Sequence, residues 1–264
     1  MSTIRAQFAA EAVNYHASLA TSWEDRYRKL SFQTRQTVLM KCLQGWDLAG
    51  SLWLDAGCGT GTLSRWLATK GCGVLGVDAA SEMITAAAQT AAAHKYSTRV
   101  SFIQVKSIAR LALEDNLLDG ILCSSVLEYV SDPRACLAEF SRILKPGGIL
   151  LVSVPNRNSV VRRVQAACHR LGRLIERDWV RFLDYSRHEY STHEFHRLLK
   201  QTGFLGQDPV PFGSPLPRLA LRSRCWAPLM MYAAQKPMNV KAATRLPILE
   251  EKYAAVMHGD PLRC

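Results

Sequence analysis

The sequence predicts a doubly wound, mostly parallel α/β sheet, and three observations carry that prediction. Short apolar runs alternate with helix-length segments between residues 51 and 154, a glycine-rich turn joins the first run to the first of these helices, and Lys145-Pro146-Gly147-Gly148 breaks the chain before the fifth run. Such alternation calls for parallel strands linked by right-handed crossovers, because two parallel strands cannot be closed by a tight turn. A chain of 264 residues, 48% of them hydrophobic, has the apolar surface to bury such a core, which excludes a disordered or fibrous chain.

The elements follow in order. Residues 6–44 read as helical, with apolar positions at helical spacing and few breakers. The strand-like runs are Ser51–Leu54, Gly73–Val77, Val100–Val105, Gly120–Cys123 and Ile149–Val154. Between them stand helix-length Gly61–Thr69, Ser81–His94 and Pro133–Leu144, and the shorter turn or loop Ile108–Leu113. After Pro155 comes a basic amphipathic segment, with Val160, Val161, Val164, Ala167, Cys168, Leu171, Leu174, Ile175, Phe182 and Leu183 recurring at three or four and Arg163, Arg170, Arg173, Arg177 and Arg181 on another face. Ser191–Thr202 reads as a helix ending at Gly203, and Phe204–Val210 and Leu229–Ala234 read as two more strands around a proline-rich stretch. The resulting division is a single domain over 1–264: an N-terminal helical cap (1–48), a core (49–156), a basic helical lid (157–202), the last two strands (203–237) and a tail (238–264) that includes a helix-like patch from Leu249 to Met257.

Charge is distributed unevenly. Residues 51–155 hold nine basic and nine acidic side chains, whereas residues 156–245 hold sixteen basic and six acidic ones. An excess confined to one half points to an anionic partner or surface there, with a solvated face as the alternative. The apolar runs fall short of the ~18–20 residues that span a bilayer. Glu11, Asn14 and His16 interrupt the first twenty residues, where a signal peptide needs an apolar stretch. The expectation is a cytoplasmic chain. Its eight scattered cysteines form no C-x-x-C pair and no zinc spacing, so reduced thiols and no metal are expected.

The most informative run is Asp55-Ala56-Gly57-Cys58-Gly59-Thr60-Gly61. Glycines at the carboxyl end of a first strand let a ligand lie against the backbone, and Asp78, ending the second strand, stands where an acid binds ribose hydroxyls. An adenosine-containing ligand is implied. Counting from Gly57 puts Thr62, and from Gly59 puts Ser64, at the last position of a G-x-G-x-x-G fingerprint, so the dinucleotide pattern fails in both registers.

The loop instead resembles the S-adenosylmethionine loop of class I methyltransferases, joined by Gly76-Val77-Asp78, Ser81-x-Met83 and Leu144-Lys145-Pro146-Gly147-Gly148. Within that class the chain is similar to ubiquinone-biosynthesis-type O-methyltransferases through Phe32-Gln33-Thr34-Arg35, Ser124-Ser125-Val126-Leu127-Glu128-Tyr129-Val130 and Ser153-Val154-Pro155-Asn156-Arg157-Asn158. The resemblance covers about residues 30–237 and implies a seven-stranded Rossmann-like sheet whose last strand runs antiparallel. It implies S-adenosylmethionine as cofactor and S-adenosylhomocysteine as product. Asp55, Gly57 and Gly59 would line the methionine part, Asp78 the ribose, Met83, Ser107 and Ile108 the adenine, Ser124 the methionine amine and Arg35 the carboxylate. Where the family reads E-x-L-E-H-V this chain has Ser125-x-Leu127-Glu128-Tyr129-Val130, so Glu128 alone remains of three acid or histidine positions. A hard cation needs more oxygen ligands than that.

Methyl transfer to a hydroxyl is helped by a general base, and histidine suits the task. His188, in a loop expected to face the pocket, and Tyr129, just past the fourth strand, are the catalytic candidates; Tyr15 and Trp23 would cover the acceptor. The basic segment 157–187 reads as a lid or as an interfacial helix on anionic membrane that collects a lipophilic acceptor. The expected function is O-methylation of a small or lipophilic metabolite. N-methylation, RNA methylation and a non-catalytic cofactor-binding regulator are the alternatives. Nucleic acid is disfavoured, since the chain has no aromatic-rich basic strand and no N-P-P-Y-like motif at the fourth strand.

Overall fold

The computed structural model describes residues 2–27, 30–93, 97–172, 181–214 and 223–238. The patch at 249–257, Pro215 and Pro217, Leu174 and Ile175, and the arginines at 173 and 177 lie outside the described residues.

Three N-terminal helices, α1 (Ser2–Ala17), α2 (Trp23–Tyr27) and α3 (Leu30–Cys42), lead into the alternating core. The core runs β1 (Leu52–Ala56), α4 (Thr62–Thr69), β2 (Gly73–Asp78), α5 (Ser81–Ala92), β3 (Val100–Gln104), β4 (Leu118–Ser124), α6 (Pro133–Ile143) and β5 (Leu144–Pro155). Then come α7 (Val160–Gly172), α8 (Thr192–Gln201), β6 (Leu205–Gly206), β7 (Val210–Phe212) and β8 (Leu229–Gln235). The sheet order is β3-β2-β1-β4-β5-β8-β6, with β7 also paired to β8. Strands β1 to β5 are parallel, and β8 runs antiparallel to β5 from Ile149↔Gln235 to Pro155↔Leu229.

All five residues of β1 are buried, as expected of a central parallel strand covered on both faces. Leu52, Leu54 and Ala56 enter one core layer with Ile121 and Phe140, while Trp53 enters the other with Leu67 and Leu151, which is the two-residue alternation of a strand. Strand β4 can lie beside β1 because Gly120 leaves room for Trp53: a Cβ there would come within 2.3 Å of the indole. Helix α6 starts on Asp132, whose carboxylate accepts the Ala135 N–H at 3.0 Å, with Pro133 in the first turn where a missing N–H costs nothing.

Three local expectations are corrected. The sixth strand is not continuous over Phe204–Val210; it is split into β6 and β7, both paired to β8, with Pro209 between them unable to donate to the ladder. Among the described residues the sheet therefore has eight strands, the expected sixth being divided in two. Strand β5 starts at Leu144, ahead of Lys145-Pro146-Gly147-Gly148, so the break lies inside the strand's first turn of pairing. In α7 the expected apolar stripe is not the buried side: Val164 is 56% exposed, while Arg162 is only 5% exposed and draws the helix inward. No helix among the described residues is long and apolar enough to cross a membrane.

The chain leaves β3 at one edge and re-enters the sheet at β4, on the other side of β1. This reversal opens a crevice at the carboxyl ends of β1 and β4, the position where open α/β sheets bind ligands.

Candidate functional site

The floor of the crevice is the turn from β1 into α4. The N–H groups of Gly57 and Cys58 donate to the Val77 carbonyl at 2.7 and 3.0 Å, and the Gly59 N–H donates to Asp78 Oδ2 at 2.9 Å. Gly57 has φ 76° and Gly59 φ 53°, in the left-handed region where only glycine is unstrained. Space is a second reason for Gly57, since its Cβ would fall 2.3 Å from Val126 Cγ2. The other Asp78 oxygen accepts the Ala80 N–H at 2.9 Å, so the carboxylate is fixed at the end of β2 by backbone on both sides.

Opposite the glycine loop stands Arg35 from α3. Its Nη1 donates to Ser124 Oγ at 3.2 Å and its Nη2 to Ser125 Oγ at 3.0 Å. Ser125 has φ 58°, unusual for a non-glycine residue, and its N–H donates to Ser153 Oγ at 2.9 Å. A strained residue at the mouth of a crevice, held by hydrogen bonds from two sides, is the kind of feature that accompanies a binding site. Above the loop α1 and α2 close the space. The rings of Tyr15 and Tyr185 stack at 4.8 Å, and His16 meets Tyr129 edge-on at 4.7 Å and Trp23 at 5.7 Å.

These walls enclose a cavity of about 720 Å³, lined among others by Arg35, Gly57, Gly59, Asp78, Met83, Ser107, Ile108, Ser124, Tyr129, Tyr15 and Trp23. Eleven of the thirteen residues singled out in the sequence thus face one space. The other two do not. Asp55 lies behind the glycine loop, 2% exposed, accepting Ser64 Oγ–H at 2.6 Å, so it supports the turn from below instead of lining it. Burial pushes its carboxyl up to about 7, against the pull of the Ser64 hydrogen bond. His188 is corrected too: its Nε2 is 2.9 Å from the Val130 carbonyl and its ring stacks at 6.5 Å on Tyr190, outside the cavity wall. The segment before α8 that carries His188 is pinned on either side of it, the Arg187 N–H donating to the Glu128 carbonyl at 2.8 Å and the Tyr190 N–H to the Pro155 carbonyl at 3.1 Å.

Sequence reasoning missed His16, Arg162, Gln165 and Phe182, all of which line the cavity. Phe182 stood only in the apolar stripe of the basic segment, and the other three belong to no spaced motif. His16 adjoins Tyr15, and that adjacency of two ring residues on a helix expected to cover the site was the available signal.

Glu128 also faces the cavity, 3% exposed. Burial pushes its carboxyl up, and Arg162 and the Ser186 hydroxyl pull it back. Ser186 Oγ donates to Glu128 Oε2 at 2.8 Å, and Arg162 Nη1 stands 3.9 Å from the same oxygen. A divalent cation does not fit here. The Glu128 carboxyl already accepts from Ser186 and has the buried Arg162 guanidinium 3.9 Å away, where it would repel a cation. Among the described residues no group of three acid, histidine or cysteine side chains is arranged to hold a metal ion.

Residues 54–152 match the model of a methyltransferase domain. The chain is 31% identical over 183 residues to the Ubiquinone biosynthesis O-methyltransferase of Alkalilimnicola ehrlichii, covering 67% of this chain and 71% of that protein. The chain belongs to the class I S-adenosylmethionine-dependent methyltransferases. Another relative in this class, the Ubiquinone biosynthesis O-methyltransferase of Xanthomonas oryzae pv. oryzae, is 39% identical over 113 residues, 42% of this chain and 46% of that protein. The match thus spans about half the length of that curated relative. In fold, the chain is similar to the magnesium protoporphyrin IX methyltransferase of Synechocystis with bound SAH, at a TM-score of 0.60, 19% identity, and 83% and 96% coverage of the two chains. The cofactor of the methyltransferase class, S-adenosylmethionine, suits this cavity chemically: a fixed carboxylate for hydroxyls, a guanidinium for a carboxylate and glycine backbone for close approach.

Proposed function

We propose that the protein transfers the methyl group of S-adenosylmethionine to a hydroxyl of a small, lipophilic acceptor with a flat ring, of the phenolic type that a quinone precursor represents. The observation that carries this reading is the make-up of the 720 Å³ cavity, which is lined both by the glycine loop, Asp78 and Arg35 and by Tyr15, His16, Trp23, Tyr129 and Phe182. That volume lies in the upper part of the ~300–1,000 Å³ range of ligand pockets, consistent with a cofactor and a second molecule side by side. The names of the relatives support the O-methyl reading, and the aromatic wall supports a flat acceptor.

When bound, the cofactor supplies an activated methyl group on a sulfonium. In this reading Asp78 accepts from the ribose hydroxyls, and Arg35, already aimed at Ser124 and Ser125, binds the carboxylate. Met83 and Ile108 pack on the adenine, Ser107 meets its edge, and Ser124 receives the amine. Gly57 and Gly59 leave the backbone open to the methionine chain, and Asp55 keeps that turn in shape. Tyr15 and Trp23 hold the acceptor ring in line behind the methyl. Alignment and exclusion of water are worth ~7–11 kcal/mol in favourable cases, enough to be the larger part of catalysis on an activated methyl. Tyr129 shapes the pocket as a neutral phenol, because burial pushes its hydroxyl well above the ordinary range. The reading includes a cytoplasmic location, with the basic segment 157–187 offered to anionic membrane as the reservoir of a lipophilic acceptor.

The test is to incubate purified protein with methyl-labelled S-adenosylmethionine and a cell extract, then partition the label between organic solvent, aqueous metabolites and RNA. Label in the organic phase, lost with Asp78→Ala, is the expected result. Label in RNA, or on a nitrogen of a polar metabolite, would replace this reading with the corresponding one.

A further inference from the structure

The methionine end of the cavity is organised by a residue that stands behind its wall. Resting on the assignment of Arg35 and Ser124 to the cofactor's carboxylate and amine, we propose that Ser153 is the positioning residue of that end: its hydroxyl oxygen holds Ser125 in a left-handed backbone and so sets the two serine hydroxyls that Arg35 bridges. Ser153 lies on β5, level with Ser124 in the parallel pairing of β4 with β5, and is fully buried. Ser125 is the first residue past β4, where the chain leaves the strand for a turn closed by the Tyr129 N–H on the Val126 carbonyl at 2.9 Å. Extended backbone is the ordinary continuation of a strand. Ser125 instead has φ 58°, a conformation that a residue with a Cβ keeps only when its surroundings hold it there. The β4–β5 ladder ends at Ser124↔Ser153, and beyond it the Ser125 N–H donates to the Ser153 side chain, Oγ, at 2.9 Å.

The left-handed turn folds Ser125 back beside Ser124. Their hydroxyl oxygens accept from the two ends of one guanidinium, Arg35 Nη1 at 3.2 Å and Nη2 at 3.0 Å, and each stands 3.4 Å from Ser153 Oγ. Side chains from α3, from the end of β4 and from β5 thus meet around one buried hydroxyl. The residue after the turn, Val126, sits so close to Gly57 that a Cβ there would come within 2.3 Å of it. Arg35, Gly57, Ser124, Ser125 and Val126 all line the cavity. A turn needed only to leave the strand would be unstrained with glycine, as the exit from β1 is at Gly57; serine in this conformation is strained and brings a hydroxyl to Arg35. Removing the Ser153 hydroxyl takes the acceptor from the Ser125 N–H and lets that backbone relax toward the extended form, which carries the Ser125 hydroxyl away from the guanidinium.

Two probes separate this role from packing. S-adenosylhomocysteine carries the amine and the carboxylate, whereas 5′-methylthioadenosine keeps the adenosine and the sulfur and lacks both. Titration calorimetry is expected to show wild type binding the first more tightly than the second. Ser153→Ala is expected to lose roughly 10-fold in affinity for S-adenosylhomocysteine, the upper end of what one neutral hydrogen bond is worth, and to bind 5′-methylthioadenosine as wild type does. In a Ser125→Gly background the further loss caused by Ser153→Ala should be smaller, because glycine takes the left-handed conformation unaided. The Arg35 contact that Ser125→Gly removes is missing from both arms of that comparison. An equal loss for the two probes, loss of all binding included, marks Ser153 as packing and overturns its positioning role. Unchanged affinity for S-adenosylhomocysteine, or the same loss in the Ser125→Gly background, overturns it as well. Wild type that binds the two probes equally defeats the assignment of Arg35 and Ser124 and the role of Ser153 with it.

Discussion

Asp55 and Asp78 are two carboxylates twenty-three residues apart in the chain, at the ends of neighbouring strands, yet their environments give them different work. Asp78 is held at the cavity by two backbone N–H donors. Its replacement by Ala removes a charged acceptor, and hydrogen bonds to charged groups are worth ~1.5–3 kcal/mol. S-adenosylhomocysteine affinity, measured by titration calorimetry, is therefore expected to fall roughly 10- to 100-fold in Asp78→Ala. Asp55 is buried behind the loop, with its carboxyl pushed up from 3.8 to about 7 by desolvation. The folded state thus holds this proton more tightly than the unfolded chain. The group therefore costs nothing below about pH 4, costs increasing stability as pH rises toward 7, and levels off above it. The full cost is of order 4 kcal/mol from a shift of about three pKa units. Asp55→Asn, which cannot ionise, is expected to flatten this part of the stability profile in denaturant melts at pH 4 to 8, and an unchanged slope would remove Asp55 as its source. At Gly57 an alanine meets both a left-handed backbone and Val126, at ~1–2 kcal/mol for the conformation and ~1–3 for the overlap. Gly57→Ala should lower the melting temperature by several degrees, more than an alanine at exposed Gly45, which has open space around its Cβ position.

At the scale of elements, Glu24 is one of the side chains that tie the N-terminal cap to the core. Glu24 of α2 accepts from Thr60 Oγ1 at 2.8 Å, Thr62 Oγ1 at 3.0 Å and Arg65 Nη2 at 2.8 Å, joining the cap to the start of α4. Trp23, its neighbour, then lies over Gly59. Glu24→Ala leaves Arg65, 11% exposed, short of its carboxylate. The expected outcome is faster hydrogen exchange across α1 and a several-fold weaker hold on S-adenosylhomocysteine, with exchange in β1 and β4 unchanged. Helix α8 shows the same economy: Ser191 and Glu194 form a capping box, each satisfying an N–H that the helix leaves open. Ser191→Ala should cost ~1 kcal/mol in equilibrium unfolding. The helix was legible because cap and Gly203 stop are local; the split of β6 from β7 was not, since it depends on how each piece pairs with β8.

Across the whole molecule, the charge excess of residues 156–245 stands apart from a neutral core. If that excess serves an anionic membrane surface, binding to vesicles should rise with the fraction of anionic lipid and fall steeply with salt, since the screening length shrinks from ~10 Å at 0.1 M to ~3 Å at 1 M. Sedimentation of the protein with such vesicles measures this, and binding indifferent to lipid charge would return the basic segment to a solvated face.

The sequence by itself determined the alternation of strands and helices, the mostly parallel sheet and the glycine turn that closes its first strand. It could do so because glycine conformations, strand-end acids and helix stops are set by residues close in the chain. Only the tertiary structure decided which distant side chains meet in the cavity wall. Arg35 reaches Ser124 and Ser125 across some ninety positions. His16 reaches Tyr129 across more than a hundred, and Arg162 turns inward against the apolar pattern of its own helix to meet Glu189 and Glu128. Such contacts are made by packing between distant elements, where a buried charge must find its partner wherever the fold brings one, and no periodicity in the chain records that requirement.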